Sequence, residues 1–507
     1  MKKTIHLFCC LSTALLLTTL ASCSDDDSTT NNPPVVVKPN LEFYGLTASN
    51  SLLKYNANNV TTIISTTPIT NLPVGETLLA IDFRPATGQL YGLSSASRLY
   101  LINRNSGVAS AIGATAFSPV LNGSLTAFDF NPTVDRIRVV TSSGQNLRLN
   151  PETGAAAATD TNLNPGTPNV GAAAYTNNNA GASTTELFVI DYTSGMLYKQ
   201  DPPNAGTLTA IGSLGLTPTT GDGGFDIDAK DGIALANLKT SGSDHLYQIN
   251  IGSGAATDLG QLATSIIGLA IPTNPVAYAV DASNNLHIFN FMDSASPIVK
   301  AITNLQASET LEGIDMRPAT GQLYALGSTG RIYTIALATG AATMVGLAPA
   351  ATLNGTDFGF DFNPTVDRIR IVSNTGQNLR VNPNDAVLAS TDTSLNPGTP
   401  NVTGAAYINS FPGATSTVLF DIDSTTDMLY TQNPPNNGVL IPIGGLGVNV
   451  TANNGFDVGG TTNTAYALLT VGAANGVYYI NTTTGAATLI TSFPTATVKG
   501  FAVGLGF

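Results

Sequence analysis

Charged residues are scarce in this 507-residue chain, because Asp, Glu, Lys and Arg together make up 10% of it, whereas about a quarter is usual in soluble globular proteins. Tryptophan is absent and histidine occurs three times. Disordered chains are rich in charge, and the strict glycine period of collagen and the heptads of coiled coils are missing here. With 50 glycines, 28 prolines and 43% hydrophobic residues, the composition predicts a turn-rich β protein.

Basic residues are outnumbered, and this excludes one class of partner. The chain has 20 Lys and Arg against 33 Asp and Glu, a formal net charge of −13. Loss of an N-terminal leader containing Lys2 and Lys3 would leave 18 basic residues against 33 acidic ones, a net charge of −15. Nucleic acid is therefore not expected as a partner.

The N-terminal residues predict export. Two lysines precede an apolar stretch from Leu7 to Leu20 that is too short to remain as a membrane-spanning helix. The motif Leu20-Ala21-Ser22-Cys23 resembles the lipobox of bacterial lipoproteins, whose Cys becomes the acylated first residue. We predict a signal peptide over residues 1–22 and lipidation of Cys23, with an ordinary secretory peptide as the alternative.

Cysteine usage supports the lipid. Cleavage before Cys23 would remove Cys9 and Cys10, so one cysteine would remain and no intramolecular disulfide could form. Residues 23–40 are acidic at first, resembling surface-export signals of some double-membraned bacteria, then rich in Asn and Pro, and predict a flexible tether. We expect a bacterial outer-membrane or cell-surface lipoprotein, with a periplasmic or secreted protein as the alternative.

The rest of the chain contains one sequence twice. Residues Phe128–Arg138 recur without change at Phe360–Arg370, an offset of 232 positions, and Arg84–Tyr91 recur at Arg317–Tyr324. Identity over eleven consecutive residues does not arise by chance. The sequence therefore predicts a tandem duplication with domains at 41–272 and 273–507.

A shorter unit repeats within each half. Between Leu79 and Ile112, four short apolar segments alternate with turn residues, and similar units of about 40–50 residues are typical of propeller blades. Spare apolar segments at Ser265–Ile271 and Val498–Leu505 could complete the first unit of each half and remove an open sheet edge. We predict an all-β fold of two tandem five-bladed β-propeller-like domains, with one larger single ring as the alternative.

These motifs resemble a known family. Asp-Phe-Arg/Asn-Pro, Gly-Gln-Leu-Tyr, Asp-Arg-Ile-Arg and Gly-Gln-Asn-Leu-Arg together resemble the exported bacterial domains catalogued as domain of unknown function four-three-nine-four. The resemblance covers nearly all of the chain after the tether, twice. It implies a propeller-like β fold, and it brings no activity, substrate or catalytic residue with it.

Two pairs of arginines are the sharpest chemical signal. Arg138 and Arg148 flank a turn with the same parity, so in a hairpin they would face each other, and two unpaired guanidinium groups would repel. We expect an anion beside them, either a structural carboxylate from Asp129, Asp135 or an acid of the next blade, or a bound carboxylate or sulfate ligand. We favour the structural carboxylate. The second-half pair and the candidate acids are Arg370, Arg380, Asp129, Asp135, Asp361 and Asp367.

Acids also recur at matching positions. An aspartate stands near the same point of successive units, at Asp82, Asp129, Asp191, Asp226, Asp315, Asp361, Asp423 and Asp457. This repetition favours an architectural role, with a ring of cation-binding acids as the alternative. Glu76 and Glu309 match each other as well, and a glycosidase-like acid pair would need such residues about 5 to 9 Å apart.

Metal-site patterns are weak. Asp160, Asn162 and Asn164 offer oxygens at alternate positions, but Gly171 stands where a calcium loop would have its distal Glu, so we favour an Asx-turn loop and treat Ca²⁺ as the alternative to no cofactor. His245 and His287 have no metal-ligand spacing, and no Gly-x-Ser-x-Gly elbow accompanies them.

The function that we expect is a membrane-anchored binding or scaffold module outside the cytoplasm. A duplicated module can raise avidity for a repetitive partner, such as a glycan or a surface protein. The alternative is a hydrolase or lyase that uses Asp or Glu with Arg at the mouth of a propeller.

Overall fold

Glycine, asparagine and proline interrupt the apolar segments every few residues, so the chain forms short strands joined by tight turns. The computed structural model describes residues 36–219, 223–494 and 496–507, and Lys38–Phe507 forms one compact unit. Apart from two single 3₁₀ turns at Pro203–Ala205 and Pro435–Asn437, the regular structure of these residues is β-strand. None of their helical segments is long and apolar enough to cross a membrane.

The strands of the first half are three to seven residues long. They are β1 Glu42–Leu46, β2 Ser51–Asn56, β3 Ser65–Pro68, β4 Leu78–Phe83, β5 Leu90–Ser94, β6 Leu99–Ile102, β7 Ala109–Ile112, β8 Thr126–Asn131, β9 Arg136–Thr141, β10 Asn146–Leu149, β11 Ala156–Thr159, β12 Val170–Tyr175, β13 Leu187–Asp191, β14 Met196–Gln200, β15 Leu208–Ser213, β16 Gly224–Ile227, β17 Ala234–Thr240, β18 Ser243–Ile249, β19 Ala256–Gln261 and β20 Gly268–Ala270.

The second half repeats this series with strands of four to nine residues. They are β21 Ala277–Asp281, β22 Asn285–Asn290, β23 Asp293–Ala301, β24 Leu311–Met316, β25 Leu323–Gly327, β26 Ile332–Ile335, β27 Ala342–Val345, β28 Phe358–Asn363, β29 Arg368–Ser373, β30 Asn378–Val381, β31 Leu388–Thr391, β32 Val402–Tyr407, β33 Leu419–Asp423, β34 Met428–Gln432, β35 Leu440–Gly445, β36 Val450–Val458, β37 Ala465–Val471, β38 Ala474–Ile480, β39 Ala487–Phe493 and β40 Val498–Val503.

The strands pair into ten four-stranded antiparallel sheets, five in each half. Eight of these sheets consist of four consecutive strands, such as β4 to β7. In the other two sheets the first strand comes from the far end of the half, because β20 pairs with β1 and β40 pairs with β21. The spare apolar segments thus remove the open edges of β1 and β21.

The first strands of the sheets stand side by side in each half. In the first half β20, β4, β8, β12 and β16 are neighbours in that order, and β16 lies again beside β20. In the second half β40, β24, β28, β32 and β36 follow one another in the same way. Each series closes on itself, and the all-β, tandem propeller-like fold class is confirmed.

The core lies between adjacent sheets rather than in one central mass. Tyr91 on β5 packs edge-on against Phe130 on β8 of the next sheet, with ring centroids 5.0 Å apart, and Tyr324 and Phe362 repeat this contact at 5.1 Å. Apolar side chains that alternate along the strands fill each of these layers. The repeated aromatic motifs are therefore packing residues between sheets.

Candidate functional site

An aspartate joins each pair of arginines. Arg138 on β9 and Arg148 on β10 oppose each other in register, as their parity predicts. Asp160, directly after β11, accepts a hydrogen bond from Arg138 Nη1 at 2.7 Å and from Arg148 Nε and Nη2 at 2.8 and 2.9 Å. The expected anion is a protein carboxylate, but it is Asp160 rather than Asp129 or Asp135.

The second half reproduces this clamp. Asp392 accepts hydrogen bonds from Arg370 Nη1 at 2.7 Å and from Arg380 Nε and Nη2 at 2.7 and 2.9 Å. Burial disfavours the charged form of Asp392, but the hydrogen bonds from Arg380, Ser390 and Arg370 outweigh burial and lower its pKa to about 2. In Asp160, too, the bonds from the two arginines outweigh burial and lower the pKa.

The inner arginine of each clamp also connects two sheets. Arg138 donates to Asn146 Oδ1 within its own sheet and to Asn204 Oδ1 of the next sheet's β14–β15 connection, both at 2.7 Å. The 3₁₀ turn Pro203–Ala205 carries Asn204 to this position. Because Arg138 is 2% exposed, these bonds are shielded from water. The clamp is therefore a buried polar cross-link.

Three aspartates of the first half converge where the first strands meet. Asp82 on β4, Asp129 on β8 and Asp226 on β16 each place one carboxylate oxygen within 4.8 Å of the other two, and all three are buried. The second half forms the same group from Asp315, Asp361 and Asp457. We call these groups the first and second carboxylate clusters.

Each aspartate of the first cluster also accepts a backbone N–H from the next sheet. Asp82 accepts from Phe130 N at 2.8 Å, Asp129 from Tyr175 N at 3.0 Å, and Asp226 from Ile271 N at 2.6 Å. These bonds link adjacent first strands, as an architectural aspartate would. Each accepted amide belongs to the residue directly after the matching position on the next first strand. On β12 and β20 that matching position is occupied by Ala174 and Ala270 instead of an aspartate.

The prediction that Asp191 and Asp423 belong to this series is wrong. Asp191 ends β13, the second strand of its sheet, and accepts the N–H groups of Thr193 and Ser194 at 2.8 and 2.9 Å. Asp423 ends β33 and binds its own turn in the same way. Both are turn caps away from the carboxylate clusters.

Burial dominates the electrostatics of the clusters. It raises the pKa of Asp226 and of Asp457 to about 7. The pKa values of Asp82 and Asp129 are also raised by burial, and the negative charge of neighbouring cluster members adds to the effect. Among the described residues, none of the six cluster carboxylates forms an ion pair with a Lys, Arg or His side chain.

The two glutamates each bind their own sheet. Glu76 accepts hydrogen bonds from the hydroxyls of Ser94 and Tyr100, the latter at 2.9 Å. Glu309, at the matching place in the second half, accepts from Tyr333 OH at 3.1 Å and forms an ion pair with Arg331 at 3.2 Å. Each glutamate thus anchors the loop that precedes β4 or β24.

The acids of the Asp-Arg-Ile-Arg motifs pair with the arginines of the Arg-Pro-Ala-Thr motifs. Asp135 binds Arg84, which is fully buried, through two guanidinium nitrogens, one of them at 2.8 Å. Asp367 binds Arg317 in the same two-point manner, with Nε at 2.9 Å. The two repeated motifs therefore meet as bidentate ion pairs between adjacent sheets.

The remaining predicted residues are not gathered into one site. Asn164 Nδ2 donates to the backbone oxygens of Asn162 and Ala205 at 2.9 and 2.8 Å, while both carboxylate oxygens of Asp160 face the arginines. Cys23 and the predicted signal peptide lie outside the described residues.

A cleft of about 440 Å³ lies between the two halves. Thr133, Asp135, Arg136 and Glu152 line one side, and the residues of the opposite side are Gln322, 334–339 and Thr343. Gln322 Nε2 donates to Glu152 Oε2 at 2.9 Å across the boundary. Arg136 donates to the backbone oxygen of Asp135 at 2.7 Å, and no carboxylate of the described chain forms an ion pair with it.

The family described as "Domain of unknown function (DUF4394)" matches residues 51–270 and 285–502. The chain belongs to this family. No curated protein matches the DUF4394 chain. Similar solved structures include the extracellular domain of a protein classed as a one-component system from B. thetaiotaomicron, with 12% identity and a TM-score of 0.25 over 91% of this chain.

Another is PorZ of Porphyromonas gingivalis, named as a surface component of the type-IX secretion system, with 14% identity and a TM-score of 0.26 over 90% of this chain. The DUF4394 chain spans 66% and 58% of the lengths of these two structures.

The two DUF4394 segments differ in their surroundings. Arg368, the counterpart of Arg136, bonds to backbone oxygens of its own turn and is not among the residues that line the cleft. Asp421 stands where the first segment has Val189, and burial raises its pKa to about 8 despite the opposing charge of Arg370. Duplication has therefore kept the clamps and clusters but not all of the side chains around them.

Sequence reasoning missed the partner acid of the arginine clamps. The Asp160, Asn162 and Asn164 spacing predicts an Asx-turn loop and does not reveal a counter-charge, although Asp160 and its counterpart Asp392 recur at the same offset as the arginines. That shared offset is the available signal, because a buried arginine that is duplicated needs its counter-charge to be duplicated with it.

Proposed function

We propose that this DUF4394 chain is an exported binding module that holds a glycan segment in the cleft between its two halves. The observation that carries this proposal is the position of Arg136. This residue lines a ligand-sized cleft, and its guanidinium donates to the backbone oxygen of Asp135, which leaves most of its five N–H donors for a ligand.

The walls of the cleft suit a polar ligand. Thr339 and Thr343 contribute hydroxyl groups to the lining, and the hydroxyl of Thr133, which donates to Asn131 Oδ1, can still accept a hydrogen bond. Asp135 and Glu152, both bound to Arg84, lie on the same side as Arg136. A glycan presents many hydroxyl groups, and the acidic members of the class add a carboxylate that a guanidinium binds through two hydrogen bonds.

Binding is favoured over turnover because the candidate acid–base groups are engaged elsewhere. Glu76 and Glu309 accept hydrogen bonds within their own sheets, and the arginine pairs are closed by Asp160 and Asp392. The proposed location follows the N-terminal sequence, in which the lipobox at Cys23 would anchor the module to a membrane outside the cytoplasm.

The test is a glycan array followed by measured affinities for wild type, Arg136→Ala and Arg368→Ala. Loss of a charged hydrogen-bond donor should weaken binding by roughly ten- to a hundred-fold in Arg136→Ala. Arg368→Ala is the matched control and should bind as wild type does, since Arg368 does not line the cleft.

Three results would contradict the proposal. An empty array together with capture of one protein partner would reject the glycan ligand, and equal affinity of Arg136→Ala and wild type would reject the cleft. Hydrolysis of pooled glycosides, lactones or esters that disappears in Glu76→Ala would favour the enzyme alternative.

A further inference from the structure

We infer that each carboxylate cluster binds one divalent cation and that Ca²⁺ is the ion that its chemistry fits. The clusters are separate from the cleft and occur once in each half, as Asp82, Asp129 and Asp226 and as Asp315, Asp361 and Asp457. The chain would therefore carry two structural ions at equivalent places.

Neither cluster has a basic counter-charge among the described residues. Buried carboxylates in proteins are paired with a cation or neutralised, because an isolated buried charge is very unfavourable. In the described chain no basic side chain lies within ion-pair distance of either cluster, whereas the nearby clamp acids Asp160 and Asp392 each have two arginines. The same fold thus supplies counter-charges to one set of buried acids and not to the other.

In the first cluster, one buried carboxylate oxygen has no hydrogen-bond partner among the described residues. Asp129 is 1% exposed, and its Oδ2 accepts no hydrogen bond from any described residue, although Oδ1 accepts the N–H of Tyr175. A buried carboxylate oxygen that lacks a donor costs free energy unless something else occupies it. Its position among Asp82 and Asp226 makes a cation the direct candidate.

The donors favour Ca²⁺. All three groups of each cluster are carboxylates, and hard cations prefer oxygen ligands. One oxygen of each aspartate lies within 4.8 Å of the other two, so a single cation can contact all three. Ca²⁺ accepts about six to eight oxygens in flexible geometry, whereas Mg²⁺ demands a near-ideal octahedral site. Water or backbone oxygens would complete the larger Ca²⁺ shell.

A cavity at the ring centre adjoins each cluster. In the first half it is lined by Ile81, Phe128 and Phe225, which directly precede the three aspartates, and by residues of β12 and β20. Its counterpart in the second half is lined by Ile314, Phe360 and Phe456. Each cavity has a volume of about 10 Å³, about the room that one water molecule needs, and its walls end one residue before the aspartates.

The experiment measures metal content and calcium binding on the purified mature protein. Elemental analysis before EDTA treatment should find two equivalents of calcium, and titration of the EDTA-treated protein with CaCl₂ should give a stoichiometry of two with a rise in the thermal unfolding midpoint. MgCl₂ at the same concentration should produce a smaller rise. Absence of bound metal together with no midpoint shift in CaCl₂ or MgCl₂ would overturn the inference.

Single substitutions assign the ions to the clusters. Asp129→Asn and Asp361→Asn keep the size of the side chain and one carbonyl oxygen for the backbone N–H, and each should lower the stoichiometry from two to one. Asp191→Asn, a turn cap outside the clusters, is the matched control and should keep two ions. If a cluster variant does not fold, its partner variant in the other half still reports one site, and retention of two ions in either variant would reject the assignment.

Discussion

At the scale of single residues, the arginine clamps show how burial decides the strength of one kind of contact. Arg138 and Arg148 bind the same carboxylate at nearly the same distances, but their side chains are 2% and 34% exposed. Breaking a buried ion pair is costly because the remaining charged group is shielded from water. When an exposed ion pair is broken, water hydrates the remaining group instead.

We therefore expect unequal effects from equivalent truncations. Arg138→Ala should lower the free energy of unfolding by about 3 kcal/mol or more, because Asn146 and Asn204 also lose their donor. Arg148→Ala should cost about 1 kcal/mol or less. Urea denaturation of both variants, checked by Arg370→Ala and Arg380→Ala in the second half, measures the difference. Equal losses in the two variants would contradict the role of burial.

The same clamps predict sensitivity to acid. The pKa of Asp392 is held at about 2 in the folded protein, whereas an unfolded Asp titrates near 3.9. A carboxylate with a lowered folded pKa contributes stability that is present above about pH 4 and is lost as the pH falls toward 2. Urea midpoints measured from pH 6 to pH 2.5 should therefore fall more steeply in wild type than in Asp392→Asn, and parallel profiles would be inconsistent with this account.

At the scale of strands and sheets, the sequence pattern predicts the repeated units and the side of a strand on which each side chain lies. The duplication, the four-stranded units and the facing of Arg138 and Arg148 follow from repeats and from the two-residue period of a strand. The pairing of β1 with β20 could be suspected because a spare apolar segment needed a partner.

What local pattern could not predict is the place of a strand within its sheet. Phe188-Val189-Ile190-Asp191 and Leu79-Ala80-Ile81-Asp82 are both apolar segments that end in Asp, but the first is a second strand and the other is a first strand. Only the pairing of strands separates a turn cap from a cluster member. Asp160 lies in a loop after β11, as its spacing predicts, but its role as the partner of Arg138 and Arg148 depends on how β9, β10 and β11 pair.

At the scale of the whole molecule, the two halves form one unit through polar and backbone contacts. Tyr278 OH donates to Ala86 O at 2.8 Å, Arg84 Nη1 to Gly321 O at 3.2 Å, and Gly506 N to Thr87 O at 2.8 Å. Arg84 thus binds both its own half and the other one, and its partners Asp135 and Glu152 line the cleft. The proposed ligand would therefore meet walls that are already cross-linked, which reduces the entropy cost of ordering them on binding.

The anchor of this unit is a prediction for the whole cell. If Cys23 carries a lipid, Cys23→Ala should move the chain from the membrane fraction to the soluble extracytoplasmic fraction, because the tether would no longer be attached. Fractionation with immunoblotting measures this, and Cys10→Ala, within the predicted leader, is the control that should stay in the membrane. If Cys23→Ala stays in the membrane fraction, the prediction of a lipid anchor at Cys23 is wrong.

The pairing of β1 with β20 also limits how early the first sheet can be completed. More than two hundred residues separate the two strands, and at 5 to 20 residues per second a ribosome needs roughly 10 to 45 s to make them. Throughout that time β1 can have no neighbour on one side, and β21 waits similarly for β40. An unpaired strand edge invites association with other chains. Closing the sheets this late leaves one edge of β1 and of β21 open to other copies of the chain until the last strand of each half arrives.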